Sequence, residues 1–217
     1  MTTTRKQRHA RAAASGRTAH ADLITSGEAN LRALLLKATD ADIVEGTLWY
    51  STAHGIAATL ADEFGITLEA AAGIIAALSP QNGWDNNIAA ARAFLEDPTV
   101  DVHFHNACEK ARAILAGAHP LAALRGRKVR SFYKNIANPL QYGPVTIDRH
   151  AVAILSNFRD TPSFLTAHPK HLERYGAYHL AAAVYRAVAR DLQIPPHHLQ
   201  AIAWVTWRRI DPLAVDF

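Results

Sequence analysis

Residues 67–98 read TLEAAAGIIAALSPQNGWDNNIAAARAFLEDP. Thr67 is an N-cap residue, and the run behind it carries Ile74, Ile75 and Leu78 among alanines, which predicts a helix. Pro80 ends that helix, because proline disfavours the α conformation in the residue before it. A polar turn, Gln81-Asn82-Gly83, follows. Trp84–Leu95 is helical again, and Asp97-Pro98 closes it. Two helices joined by a short polar turn, with no alternation of β-branched residues, set the expectation for the whole chain: an all-α protein.

Working outward, the same signals recur. Glu28–Ala38 is expected as a short helix. Thr39-Asp40 caps a long one from Ala41 to about Phe64, which Gly65 stops. Asn106–Ala116 ends at Gly117, and Lys128–Ile136 follows a turn at Gly126. Val145-Thr146-Ile147 is a short strand-like approach to a helix headed by Asp148 and running to about Asn157. His171 to Leu192 is a long amphipathic helix, and Pro195-Pro196 opens the last one, through Trp207. Alanine makes up about a fifth of the chain. Many short helices with short connections imply a compact fold rather than an elongated bundle. The most irregular stretches are Asp97–His105 and Asn138–Val145, and loops held by a rigid scaffold are where chemistry tends to sit.

The 217 residues are 49% hydrophobic and 19% charged, enough for a real core. A single cysteine, Cys108, excludes an intramolecular disulfide, a cysteine zinc site and a cysteine-ligated iron–sulfur cluster. No apolar run approaches 18 residues and no secretory leader is evident, so a cytoplasmic protein that does not enter the membrane is expected. The net charge of +4 is uneven. Arg5, Lys6, Arg8, Arg11 and Arg17 fall within the first 20 residues without an acid, leaving 18 basic against 19 acidic residues elsewhere. Residues 1–22 are therefore expected as a basic, disordered tail that either touches phosphates or only solubilises. Residues 23–217 are expected as one domain.

Three segments carry chemistry. In Val145-Thr146-Ile147-Asp148-Arg149-His150 an aspartate stands at a helix start. It either caps the helix or faces a cleft, where it stabilises positive charge on a sugar or orients a water. His150 and Arg149 flank it. In Leu78–Asn87, a polar turn carries the amides of Gln81 and Asn82 and the indole of Trp84, which suit base edges and base faces, or else form a capped turn with a core tryptophan. In Leu124-Arg125-Gly126-Arg127-Lys128-Val129-Arg130, a glycine turn opens a helix among four cations, an arrangement suited to phosphate. Tyr50, His54 and Asn87 are further candidates for a pocket wall. The pairs His197-His198 and His103 with His105 lack a carboxylate at ligand spacing, so no metal is expected, nor any other cofactor. Trp204 and Trp207, three apart on one helix face, are expected in the core, and Gln200 stands one turn before Trp204.

In order and spacing, these segments resemble the endonuclease III-like superfamily of DNA glycosylases, with its helix-hairpin-helix and Gly/Pro-Asp signature. Ile75-Ala76-Ala77-Leu78-Ser79-Pro80-Gln81 is similar to the family helix ending in Leu-Ser-x-Gln. Asn106–Leu115, with Lys110 and Ala111 inside, is similar to its Asn-x-x-Lys-Ala helix. Leu124–Lys128 resembles the hairpin and following lysine, and Val145–His150 the Val-Asp-Thr-His segment with the catalytic carboxylate. Lys128 and Asp148 lie 20 residues apart, close to the family spacing. The hairpin departs from Leu-Pro-Gly-Val-Gly, being two residues shorter and without the second glycine. The pattern also looks like phage-encoded members associated with modified thymine bases.

The resemblance implies two helical lobes with a cleft between them and cleavage or exchange of the N-glycosidic bond of a flipped, modified base in DNA, in repair or DNA modification. It implies Gln81 and Asn82 filling the gap in the stack, Trp84 near the flipped base, and DNA phosphates held by Arg125, Gly126, Arg127 and Arg130. Asp148 would stabilise the sugar cation. Lys128 is expected as a phosphate clamp, which leaves water or another small nucleophile to a monofunctional enzyme; the alternative makes Lys128 itself the nucleophile, its pKa pushed down by the crowding Arg125, Arg127 and Arg130. A non-catalytic DNA-binding module on the same fold and an enzyme acting on free nucleosides or nucleotides remain alternatives. No oligomeric state follows from the sequence.

Overall fold

The structure, a computed structural model, describes residues 26–156 and 176–210. They are helical throughout, with no strand among them. The order is α1 (26–35), α2 (Asp40–Phe64), α3 (Leu68–Leu78), α4 (Trp84–Glu96), α5 (His105–Leu115), α6 (Pro120–Ala123), α7 (Arg127–Ala137), α8 (Arg149–Leu155), α9 (Ala177–Asp191) and α10 (Pro196–Ile210). The all-α expectation holds, and most helix ends fall within a residue or two of those read from the caps. The basic tail, and the proposed ends of two helices at Asn157 and His171, lie outside the described residues. Two readings are corrected. Residues 145–147 form no strand, and α1 stops three residues before Ala38. The short α6, started by Pro120, was not foreseen.

The caps explain the punctuation. Thr39 accepts from the Asp42 amide while the Asp42 carboxylate accepts from the Thr39 amide, a reciprocal capping box. Gly65 ends α2 in the left-handed conformation at φ 63°. Thr67 caps α3 by accepting from the Ala70 amide.

Two hydrophobic cores divide the molecule. One gathers α3 with parts of α2, α4, α5 and α7, around Ile74, Ile75, Leu78, Phe94 and Ile136. Every residue of α3 from Ala71 to Leu78 is buried, and its alanines let neighbouring helices approach from all sides. The other core joins α1, α8, α9 and much of α10 through Leu31, Ile147, Leu155, Tyr185 and Val188. Helix α10 serves both, since Ala201 belongs to the first core and Leu199 and Ala203 to the second. It lies against α2 so closely that a Cβ at Gly46 would stand 2.4 Å from the Ile202 Cα. Only glycine permits that approach. The crossing of α2 and α10 sets the floor on which the cleft between the cores is built.

Candidate functional site: an aromatic cleft between the two cores

A cleft of about 690 Å³ opens where the α3–α4 turn, the start of α7, the segment 146–150 and the α2–α10 crossing meet. That volume is in the range of pockets that enclose small organic ligands. Most of the sequence-predicted site residues come together here: Tyr50, Gln81, Asn82, Trp84, Asn87, Gly126, Lys128, Asp148, Arg149 and His150. They come from separate segments, so only folding unites them.

Its walls are aromatic. Trp49 on α2 packs against Trp84 on α4 with centroids 4.9 Å apart, against Phe132 on α7 at 5.9 Å and against Trp204 on α10 at 6.0 Å. Arg208 lies over the Trp204 ring at 4.5 Å. Trp204 therefore lines the cleft, correcting its placement in the core. Trp207 is buried as expected, 4.8 Å from the His150 ring. Trp49, Phe132, Tyr178 and Trp204 were missed as site residues, because an aromatic at helical spacing reads as core in a sequence, and Thr146 was read only as part of the approach to Asp148. Nothing local separates an indole that fills a core from one that borders a cavity.

Asp148 and Lys128 both line the cleft. Asp148 is the N-cap of α8, and one carboxylate oxygen accepts from the Ala151 amide at 2.7 Å. Both sequence readings thus describe the same side chain, which caps the helix and lines the cleft. Lys128 sits in the first turn of α7, next to Gly126, whose φ of 79° favours glycine. Burial lowers the Lys128 amine pKa; Asp148 opposes the shift and Arg149 adds to it. The neighbouring arginines of the basic run, Arg125, Arg127 and Arg130, are not the cause. Arg125, Arg127 and Arg130 are exposed and do not line the cleft. Arg125 donates to the Ala122 carbonyl (2.7 Å) and Arg130 to the Leu121 carbonyl (2.9 Å). A helix turns successive residues about 100° apart, which sends Lys128 inward and its neighbours out.

Arg149 Nε donates to His150 Nε2 at 3.3 Å, so that histidine nitrogen acts as an acceptor in this arrangement. Gln81, exposed at the tip of the turn, has φ 57°, a strained left-handed conformation for a non-glycine residue. Such strain is often found at functional turns. His54 does not reach the cleft. Its Nδ1 pairs with the Ile136 carbonyl at 2.8 Å and pins α2 to α7.

Beneath the floor runs a buried polar chain. Asn135 Nδ2 donates to Thr146 Oγ1 at 3.1 Å. The Tyr50 hydroxyl is bonded to Thr146 Oγ1 (2.9 Å) and to Gln200 Oε1 (3.1 Å). A carbonyl oxygen only accepts, so Tyr50 gives its proton to Gln200 and the Thr146 hydroxyl supplies the other bond. Burial raises the Tyr50 pKa, so the phenol keeps that proton. Thr146 precedes Asp148 by two residues, and the chain holds that segment against α2 and α10. From the other side the Tyr178 hydroxyl donates to the Val145 carbonyl at 2.7 Å.

The histidine pairs are structural. His103 bonds the Pro80 carbonyl at 2.8 Å, and His105 bonds Asp101 at 2.7 Å. No group of three potential metal ligands exists among the described residues. His197 Nε2 donates to the Pro139 carbonyl at 2.8 Å, while its Nδ1 is buried without a partner. Burial lowers its pKa to about 4, against the Pro139 bond and with help from His198. In the unfolded chain a histidine titrates near 6.5. Between those values the unfolded state binds a proton that the folded state refuses. Stability is then full above about pH 6.5 and falls as pH drops towards 4, by roughly 3 kcal/mol from this residue. Urea unfolding across that window should show the loss, and His197→Gln should flatten it. A variant curve as steep as the wild-type one would show that other groups cause it.

Among the described residues no helix is long and apolar enough to cross a membrane. No curated protein and no solved structure matches the chain. The profile described as a family of unknown function, DUF7178, matches residues 14–211. That span takes in both cores and every residue of the cleft, and the chain belongs to the DUF7178 family.

Proposed function

We propose that the protein is a DNA glycosylase-type enzyme of the helix-hairpin-helix, Gly/Pro-Asp kind, which breaks the N-glycosidic bond of a base flipped out of DNA. The observation that carries this reading is the meeting of Lys128 and Asp148 at the end of an aromatic-walled cleft. Aromatic faces receive an unstacked base. A carboxylate beside them stabilises the positive charge that grows on the sugar as the base departs. Gln81 stands exposed on a strained turn at the cleft mouth, where a wedge must stand to fill the gap in the stack. Outside the cleft, Arg125, Arg127 and Arg130 offer charge to the phosphates, and the basic tail adds more.

The placement of Lys128 favours a route in which its amine attacks the sugar over the water route expected from sequence. Burial lowers the pKa of this half-buried amine and so brings it nearer to the neutral, nucleophilic form than an exposed lysine stands, whereas a phosphate clamp would stand outside with the arginines.

Mass spectrometry of free bases released from duplexes that each carry one modified pyrimidine or purine tests the function. Release that depends on Asp148 is expected. Release of no base from any duplex, or release undiminished in Asp148→Asn, would overturn the reading.

A further inference from the structure

Two amides in the cleft wall are held in fixed orientations, and each leaves one hydrogen-bonding group unused. Asn87, on the first turn of α4, is 1% exposed. Its Nδ2 donates to the Ile75 carbonyl at 3.2 Å, which settles which way the amide faces. Its Oδ1 is buried with no partner. An unpartnered buried carbonyl costs about 1–3 kcal/mol, and buried polar groups in folded proteins are otherwise paired. Asn87 is also one of the residues lining the cleft. Gln200, on α10, is 6% exposed and lines the same cleft. Its Oε1 is taken by the Tyr50 hydroxyl. Its Nε2 is then the end presented to a ligand.

Resting on the base-pocket reading above, we infer that Asn87 Oδ1 and Gln200 Nε2 read the edge of the bound base, and that this base carries a ring lactam, an N–H beside a carbonyl. Asn87 accepts the ring N–H, and Gln200 donates to the carbonyl. The aromatic rings supply affinity without choosing among bases, since every base has a π face. The amide pair supplies the choice. An acceptor built to take an N–H penalises any ring that brings a lone pair or a methyl group to that point.

Charge separates lactams from amino-substituted rings, which also carry a donor next to an acceptor. Amino-pyrimidines and amino-purines gain a proton and become cations. Lactam rings lose one and become anions. The basic side chains lining the cleft, Lys128 and Arg149, outnumber its single carboxylate, Asp148, and Arg149 stays a cation when the Lys128 amine gives up its proton. That balance disfavours a ring that tends to positive charge and suits one that tends to negative charge.

Binding of small bases to the full-length protein tests this without any need for DNA or turnover. Trp49, Trp84 and Trp204 border the cleft, so indole fluorescence, excited at the red edge of its absorption, reports occupancy. The probes are 1-methyluracil, 1,3-dimethyluracil and 1-methylcytosine, whose N1 methyl stands where the sugar bond would be. 1-Methyluracil is expected to bind about tenfold more tightly than the other two, the fold-change of one lost hydrogen bond with a partner left unsatisfied. Asn87→Ala should abolish the discrimination between 1-methyluracil and 1,3-dimethyluracil. Gln200→Ala should weaken both and keep their ratio. Circular dichroism shows whether either variant is folded, and the wild-type ratio alone carries the test if one is not.

Equal binding of 1-methyluracil and 1,3-dimethyluracil, a preference for 1-methylcytosine, or no quenching by any probe would overturn the inference. Equal binding together with base release from DNA would overturn it and leave the glycosylase reading standing. Discrimination by Asn87 without base release from any DNA would keep the recognition site and remove the glycosylase reading.

Discussion

Replacing Asp148 with asparagine is expected to lower base release from DNA by at least about a hundredfold, while the melting temperature stays close to wild type. The two halves have separate causes. Asp148 stabilises α8 by accepting the Ala151 amide at 2.7 Å, and an asparagine oxygen caps a helix as well as a carboxylate does. The fold therefore keeps its cap. What disappears is the negative charge that the proposed mechanism sets opposite the sugar. A second consequence follows at Lys128, because the Asp148 carboxylate is what holds its pKa up against burial. In Asp148→Asn the amine becomes neutral at lower pH, so the acid limb of the residual activity should move down the pH scale. Rates on a verified substrate, with thermal melts and a pH profile of the variant, check all three. Full activity in the variant would remove the carboxylate from the mechanism. A large fall in melting temperature would make its capping role dominant.

Lys128→Gln is the second substitution with a large expected effect. If the amine attacks the sugar, sodium borohydride added during turnover should reduce a Schiff base and leave a covalent protein–DNA adduct. The adduct should vanish in Lys128→Gln, and base release should fall roughly 10²–10⁴-fold. Arg127 and Arg130 stand beside Lys128 in sequence yet are exposed, so Arg127→Gln and Arg130→Gln should leave the adduct intact and weaken binding to any DNA, with a shallower dependence of affinity on salt. An adduct that survives in Lys128→Gln would place the nucleophile elsewhere. No adduct in the wild type, with base release intact in Lys128→Gln, would return the reaction to water.

Much of this organisation was legible before the fold. Helix ends are written by local chemistry that acts within a turn or two. Thr39, Thr67 and Asp148 cap helices by accepting backbone N–H bonds, Gly65 takes a left-handed conformation, and Pro80 stops a helix. Each acts on its own neighbours, so each can be read in one dimension. The same holds for the three polar segments that supply Gln81, Lys128 and Asp148, since polar side chains in turns between apolar helices stand out. The amphipathic helices also declared that the chain must bury apolar faces against one another.

What failed had a common physical origin. Trp204 and Trp207 have the same spacing and the same residue type, yet one borders the cleft and the other is buried against His150. His54 was expected in the pocket, but α2 turns it towards the Ile136 carbonyl. Arg125, Arg127, Lys128 and Arg130 form one basic run, and the direction in which α7 leaves Gly126 sends the lysine inward and the arginines out.

By itself, then, the sequence determined that the chain is helical, where most of its helices begin and end, and which polar turns were available for chemistry, because these depend on contacts close along the chain. Tertiary structure alone decided that the turns meet. Gly46 lets α2 and α10 cross closely enough to build a floor, and the two cores hold the α3–α4 turn and the 146–150 segment across from each other. Only that packing could set Lys128 in the cleft, orphan the oxygen of Asn87 and turn four aromatic rings into a cleft wall, since each outcome depends on neighbours far away in the chain.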